Sequence, residues 1–315
     1  MPPRRSYKNL SGVEQEISLL KSRKNLLLWY SADEPDGLQD PLNATSLAYD
    51  KIYDVDGYHP VSLVLNCQDS KFESYAAGTD IVMQDAYMIA INATHSVVWN
   101  TSCTPDYGDC GCDNCVGEFE DMSQRMDQFG DRLEALGWER TEAVWTVLQA
   151  FGGSSFWSKM PTGQEWTIQN LLAVVHGALG LFYLVHHSSP IPDSRGLPGI
   201  VSWNDPTSSD IKAAAAAIGQ QLLPDLTSYA LNPHVVFTTY VWQRIHFGMW
   251  KVDDRTLVVG VNLDPQTREV SLEQLPGLEV NEKLEVVYDG GASFESGSLV
   301  LEGLGSVGFI SGCHL

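Results

Sequence analysis

The sequence predicts an α/β fold: a parallel sheet with helices outside it, of the (β/α)8-barrel (TIM-barrel) kind, followed by a small antiparallel β-sandwich domain. Three observations predict it. Short, almost wholly apolar runs alternate with helical patterns as far as about residue 230, as in a parallel sheet covered on both faces. Polar residues gather where those runs end: Asp33 and Glu34, Asn66 and Gln68, Gln84, Asp85 and Tyr87, and Gln149. The C-terminal ends of the strands are where such barrels place their chemistry. Beyond about residue 231 the pattern becomes β-type runs separated by turn residues. The expected division is a barrel-like domain over residues 1–230 and a β-domain over 231–315.

In chain order, Val13, Ile17 and Leu20 mark one face of a first helix. A strand over residues 26–32 runs into the acidic stretch Asp33-Glu34-Pro35-Asp36. A helix is expected over 41–54, a buried strand over 59–67, a short helix or loop over 72–78 and a strand over 80–87. Phe119, Met122, Met126, Phe129, Leu133 and Leu136 recur at spacings of three and four, the stripe of an amphipathic helix that Gly137 can end. Residues 143–149 read as a strand. Thr162 and Glu165 form a capping box that opens a helix through Val175. Two runs, 177–185 and 199–206, compete for the next strand. Without residues 181–198 the chain would read HGALGGIVSWNDP, a single strand ending in Trp203, Asn204 and Asp205. One reading makes 181–198 an insertion retained in the gene; the other makes it a long loop. Reads that carry the segment in the dominant transcript would rule out the insertion. In the last 85 residues, β runs are expected over 256–264, 282–291 and 298–310.

A formal net charge of -21 and a pI near 4.5 argue against nucleic acid and anionic lipid surfaces, which would repel the chain. No run reaches the ~20 apolar residues of a membrane helix, and the N-terminus lacks the apolar segment of a signal peptide. Sequons begin at Asn9, Asn43, Asn92 and Asn100. Four of the six cysteines, Cys103, Cys110, Cys112 and Cys115, are spaced C-x6-C-x-C-x2-C. Gly, Asp and Asn between them suit a disulfide-stapled loop; a zinc site and free thiols are the other readings. Sequons and such cysteines together suggest secretion, with a leader lying upstream of this sequence.

WYSADEPDG, VMQDAY, VWTVLQAFGG and PTGQEW…HGALG, in that order, resemble secreted fungal (β/α)8 glycoside hydrolases of the clan-A type over roughly residues 11–230. Those enzymes end their fourth strand in Asn-Glu-Pro, with the Glu as general acid/base. The resemblance therefore implies that Asp33, Glu34 and Pro35 occupy those positions. It also implies that the sheet holds strands four to eight and that the chain is the C-terminal part of a longer extracellular or cell-wall protein. A whole barrel takes about 250 residues, more than precede the β-domain here.

Glycoside hydrolysis uses two carboxyl groups flanking the scissile bond, about 5–5.5 Å apart for retention and wider for inversion. Glu34, beside Asp33 and Asp36 at the end of an apolar run, has the burial and neighbouring charge that raise a carboxyl pKa. It is the expected acid/base; capping of the following helix is its other reading. In the resembling enzymes the nucleophile stands on the seventh strand, where this chain has Gln149, an amide. Asp85 is the expected nucleophile or base, against a structural Asp or a carboxylate on strands one to three. Asp33, Tyr87, Gln149, Trp203 and Asp205 are the expected substrate contacts, and Trp157 is a further sugar platform. No metal or organic cofactor is indicated, and the expected partner is a carbohydrate. The rival function is a non-catalytic carbohydrate-binding or cell-wall protein, or a truncated inactive product, which Gln149 favours.

Overall fold

A computed structural model of the chain describes residues 6–92, 94–96, 100–103, 115–153, 157–183, 209–278 and 284–312. These fall into two compact units. The first comprises Met1–Leu148, Ser154–Ser158 and Gly180–Tyr183; the second comprises Gln149–Gly153, Lys159–Leu179 and Leu184–Leu315.

The first unit is built on a curled parallel sheet. Helix α1 (Leu10–Leu20) starts at Asn9, whose side chain accepts from the Gly12 N–H. It leads into β1 (Trp29–Asp33), α2 (Ala44–Val55), β2 (Val61–Leu65), α3 (Phe72–Ala76) and β3 (Ile81–Gln84). A small antiparallel ladder, β4 (His95–Ser96) with β5 (Thr101–Ser102), precedes α4 (Glu120–Leu136), β6 (Ala143–Leu148) and, after an intervening segment, β7 (Leu181–Tyr183). The sheet order is β1-β2-β3-β6-β7 with every pairing parallel. Each strand thus lies beside its predecessor in the sheet, the arrangement of a half-barrel.

The outer layer follows from the helical stripes. Ala44, Ala48 and Ile52, at four-residue spacing, face inward from α2, and Met122, Met126, Phe129 and Leu133 do so from α4. Leu63, Leu65, Val82, Phe72, Phe129 and Leu133 share one core, in which the Phe72 and Phe129 rings meet edge to face at 4.9 Å. Gly137, at φ 74°, ends α4 in the left-handed region that glycine enters without strain. The strands begin or end up to four residues inside the expected runs, because flanking apolar residues such as Leu26 pack without joining the ladder. Of the two runs competing for the last strand, the first supplies it. Most of residues 181–198 and all of 199–206 lie outside the described residues.

The second unit gathers α5 (Gly163–Val175), α6 (Ser209–Ala217), a π-helical turn at Ile218–Leu222, α7 (Leu223–Ala230) and strands β8 (Val236–Trp242), β9 (Ile245–Val252), β10 (Arg255–Asn262), β11 (Arg268–Ser271), β12 (Glu285–Glu295) and β13 (Ser298–Ser311). The predicted capping box at Thr162 and Glu165 is present. All six strands form one antiparallel sheet in the order β11-β13-β10-β9-β8, with β12 on β13. One edge of β13 pairs with β12, while the other pairs with β11 near its start and with β10 near its end. Helix α5 packs on β9, β10 and β13, so this helix, read from the sequence as part of the barrel layer, belongs with the antiparallel sheet.

Phe129 is fully buried in the first core, where its ring meets that of Phe72. Phe129→Ala is expected to destabilise the first unit by about 3–5 kcal/mol, against less than ~0.5 kcal/mol for exposed Leu19→Ala. Urea unfolding of the two variants checks this.

Candidate active site

Strand alternation selects the candidate side chains. Ala32, Leu63, Leu65 and Val82 lie in the helix-side core. Asp33, Asn66 and Asp85 have the opposite parity and so belong to the other face. Parallel register sets Asp33 opposite Val64, and Val64 opposite Met83, which brings the three strand ends side by side.

Glu34 follows β1. Its N–H donates to the Val64 carbonyl at 3.1 Å, extending the ladder by one bond. Its φ is +50°, left-handed backbone that a side chain enters at a cost. The side chain is half-buried. Asn66 Nδ2 donates to Glu34 Oε1 at 3.4 Å, and the carboxyl of Asp85 is hydrogen-bonded to that of Glu34. Tyr30 donates to Asp33 Oδ1 at 2.6 Å. Burial, then the Asp33 charge, keeps the Tyr30 hydroxyl protonated well above the usual range.

Asp36 is buried beneath these groups. Its carboxylate accepts from the Asn66 N–H at 3.2 Å and the Cys67 N–H at 2.8 Å. Burial outweighs these bonds and raises its pKa from the ordinary 3.8 to about 6. From the other side Arg125 Nη1, on α4, donates to the Asn66 carbonyl at 2.8 Å.

Asp85 is 2% exposed, and among the described residues its Oδ1 has no hydrogen-bond partner. Burial, then the charge of Glu34 and those of Asp33 and Asp36, raises its pKa well above the carboxylate range. The protonated form of Asp85 is therefore favoured over that of an ordinary carboxyl, and in that form it donates to Glu34. The sequence reading had Asp85 as nucleophile or base, against a structural Asp. The structure buries it, and the leading influences on its carboxyl all raise its pKa, whereas the Asn66 and Cys67 N–H groups partly offset the burial of Asp36.

The other candidates divide. Tyr87 is buried; its ring meets Trp157 edge to face at 5.9 Å, and its carbonyl accepts from Trp157 Nε1 at 2.8 Å. Both rings are packing partners here and present no open face. Gln149, fully buried, donates through Nε2 to the Phe151 carbonyl, while its backbone exchanges two bonds with Gln169. Trp203, Asp205, Cys110 and Cys112 lie outside the described residues. Cys67 is buried. The sequon asparagines Asn9, Asn43, Asn92 and Asn100 are exposed. His59 is bonded to Asp56 and His176 to His246, so each of these histidines has a local partner. Sequence reasoning passed over Tyr30 and Asn66 as site residues and read Asp36 only as a neighbouring charge. Asn66 carried a signal, being one residue past an apolar run on the same face as Asp33.

No family model matches the chain, and no curated protein does. Solved structures of barrel glycoside hydrolases are similar to it. The debranching enzyme of Nostoc punctiforme superposes with a TM-score of 0.55 at 15% identity, over 96% of this chain and 60% of that one. An Anoxybacillus α-amylase gives 0.58 at 10% identity, over 98% and 62%. The α-amylase of Geobacillus thermoleovorans gives 0.56 at 13%, over 98% and 64%. The chain thus spans about three-fifths of the length of these structures, and the likeness is one of fold.

Two measurements test the electrostatics and the strain. A carboxyl whose folded pKa is raised favours the fold below its ordinary pKa and loses that contribution as pH climbs through the raised value. Relative to Asp36→Asn, the wild-type chain should therefore lose about 3 kcal/mol of stability between about pH 4 and pH 6. A flat difference between the two denaturation curves would refute the raised value. At Glu34, replacement by Gly should leave the chain about 1 kcal/mol more stable than replacement by Ala, since only Gly enters φ +50° freely. Equal stabilities would show that the turn carries no strain.

Proposed function

We propose that this chain is the C-terminal portion of a glycoside hydrolase that cleaves O-glycosidic bonds of an oligo- or polysaccharide, with Glu34 as general acid/base. The observation that carries the reading is the meeting of the Glu34 and Asp85 carboxyls across the end of β2, from the ends of β1 and β3 on either side of it. Glu34 is the half-exposed member, so it is the one that meets the glycosidic oxygen. Asp85, buried behind it, has its pKa raised by that burial and by the Glu34 charge. When Glu34 gives its proton to the leaving group, the bond from Asp85 stabilises the carboxylate left behind. As that C–O bond breaks, water adds to the anomeric carbon and its spare proton returns to the Glu34 carboxylate, beside which the raised pKa of Asp85 disfavours a second anion. Directly bonded carboxyls are closer than the ~5–5.5 Å of a retaining pair, so in this arrangement Asp85 supports the Glu34 carboxyl rather than attacking the sugar. Asp33, tethered by Tyr30, is placed to accept from a sugar hydroxyl. Trp203 and Asp205 are the proposed remaining contacts, with Tyr87 as a buried support.

Exposed Asn43, Asn92 and Asn100 support a glycosylated, extracellular or cell-wall protein, and Cys103 to Cys115 a disulfide-stapled loop. No described helix is long and apolar enough to cross a membrane.

One observation favours the rival reading of a carbohydrate-binding protein without turnover: Asp85, the expected second catalytic carboxylate, is wholly buried. A reducing-sugar assay with malto-, cello-, laminari- and chitohexaose, beside isothermal titration of the same sugars, separates the two. Turnover that Glu34→Gln lowers by about 10²–10⁴-fold, with affinity retained, is the expected result. Binding without turnover by the intact chain would establish the rival.

A further inference from the structure

Asn66 has an unusual combination of bonds for a buried amide. Its residue is 3% exposed. Its backbone is fixed from two elements: its own N–H and that of Cys67 donate to Asp36, and its carbonyl accepts from Arg125 on α4. Its Nδ2 is used by Glu34 Oε1. Its Oδ1, among the described residues, has no partner. A buried amide oxygen is normally satisfied, and here nothing about the backbone prevents it: the peptide is among the most tightly held in the site. An acceptor left open while its peptide is held in place, next to a half-exposed carboxyl, is an arrangement that awaits a donor.

We infer that Asn66 is the positioning residue of this site: Nδ2 orients the Glu34 carboxyl, and Oδ1 accepts from a hydroxyl of the sugar bound against it. The inference rests on the proposed glycosidase reading and adds the residue that links substrate to acid/base. The residue type fits the task. An amide offers a donor to a carboxylate and an acceptor to a hydroxyl at the same time, and it does not titrate. An aspartate in its place would put a fourth anion beside Asp33, Glu34 and Asp36. A serine is too short to serve both partners. The role of Arg125 and Asp36 follows: they act through Asn66, by fixing the peptide from which its amide projects.

Asn66→Ala removes both bonds, and Asn66→Asp keeps the acceptor while replacing the donor with a carboxylate oxygen. Both leave the backbone bonds in place, and circular dichroism with thermal melting confirms that each folds. The hexaose that wild type hydrolyses fastest is the probe. The expected result is that Asn66→Ala loses about 10- to 100-fold in kcat/KM, with losses in both kcat and KM. For Asn66→Asp the alkaline limb of the pH–rate profile should move up by about one unit, because a like charge beside the acid delays its deprotonation. A structural residue would not move that limb. An Asn66→Ala chain within about twofold of wild type at every pH, while Glu34→Gln is inactive, overturns the inference and leaves the glycosidase reading standing. If Glu34→Gln keeps wild-type turnover, the glycosidase reading of Glu34 fails, and unchanged hexaose affinity in Asn66→Ala then overturns the contact as well. A chain that neither binds nor cleaves any of the four hexaoses overturns both.

Discussion

The buried carboxylate of Asp36 is the interaction on which the site depends. It belongs to the loop after β1, yet both of its oxygens are bonded to N–H groups after β2. Two neighbouring βα loops are thereby locked to each other at the end where their strands stop. Register alone brings Glu34 and Asn66 near each other; the Asp36 bonds fix the distance and angle at which their side chains meet. With two oxygens the carboxylate takes the two successive N–H groups one on each. The cost shows in its pKa: burial raises it even against those bonds.

From that lock the electrostatics of the site follow. Asp33, Glu34, Asp36 and Asp85 crowd one region, and the groups acting on Asp85 all push its pKa the same way. Burial and the charges of its neighbours favour the protonated form of Asp85. Arg125 donates to the Asn66 carbonyl and partly offsets the burial-driven rise of the Asp121 pKa. The result is a pair whose members differ in kind. One is half-open to solvent, and the other is sealed, with its protonated form favoured.

Much of this was legible in the sequence and some was not, for physical reasons. The parallel sheet could be read because strands covered on both faces leave continuous apolar runs, as VSLVL does. Helix α4 could be read from its 3.6-residue stripe, and α5 from its capping box. Strands β8 and β9 escaped notice because the turn between them, at Gln243 and Arg244, uses neither Gly nor Asn; Gln243 takes φ +53° regardless. Helix α5 was assigned to the wrong neighbour, since an apolar helix face does not say which sheet it will cover. At the site, Glu34 and Asp85 were visible as carboxyls after apolar runs. Their protonation was not, because it depends on which acids lie across neighbouring strands, a through-space property. Asn66 and Tyr30 were missed for a related reason. Their importance lies in a hydrogen bond to a residue on another strand, or across the β1 bulge between Tyr30 and Ala32.

Three features that work against stability coincide here: left-handed backbone at Glu34, a carboxylic acid buried at Asp85, and an unpartnered acceptor on Asn66. Each has a simpler alternative. Glycine would relax the turn, an apolar side chain would fill the space of Asp85, and a residue with fewer polar atoms would suit position 66. Fold requirements do not select any of the three, and independent accidents would not be expected to meet around one carboxyl group. Such costs persist where function requires them. The combination also bears on which function. A groove that only holds sugar gains from Asn66 and Asp33, which can exchange hydrogen bonds with hydroxyls. It gains nothing from an acid with a raised pKa sealed behind Glu34. Such a neighbour is of use when a half-exposed carboxyl must change its charge and change it back, which is what an acid/base group does in each turnover.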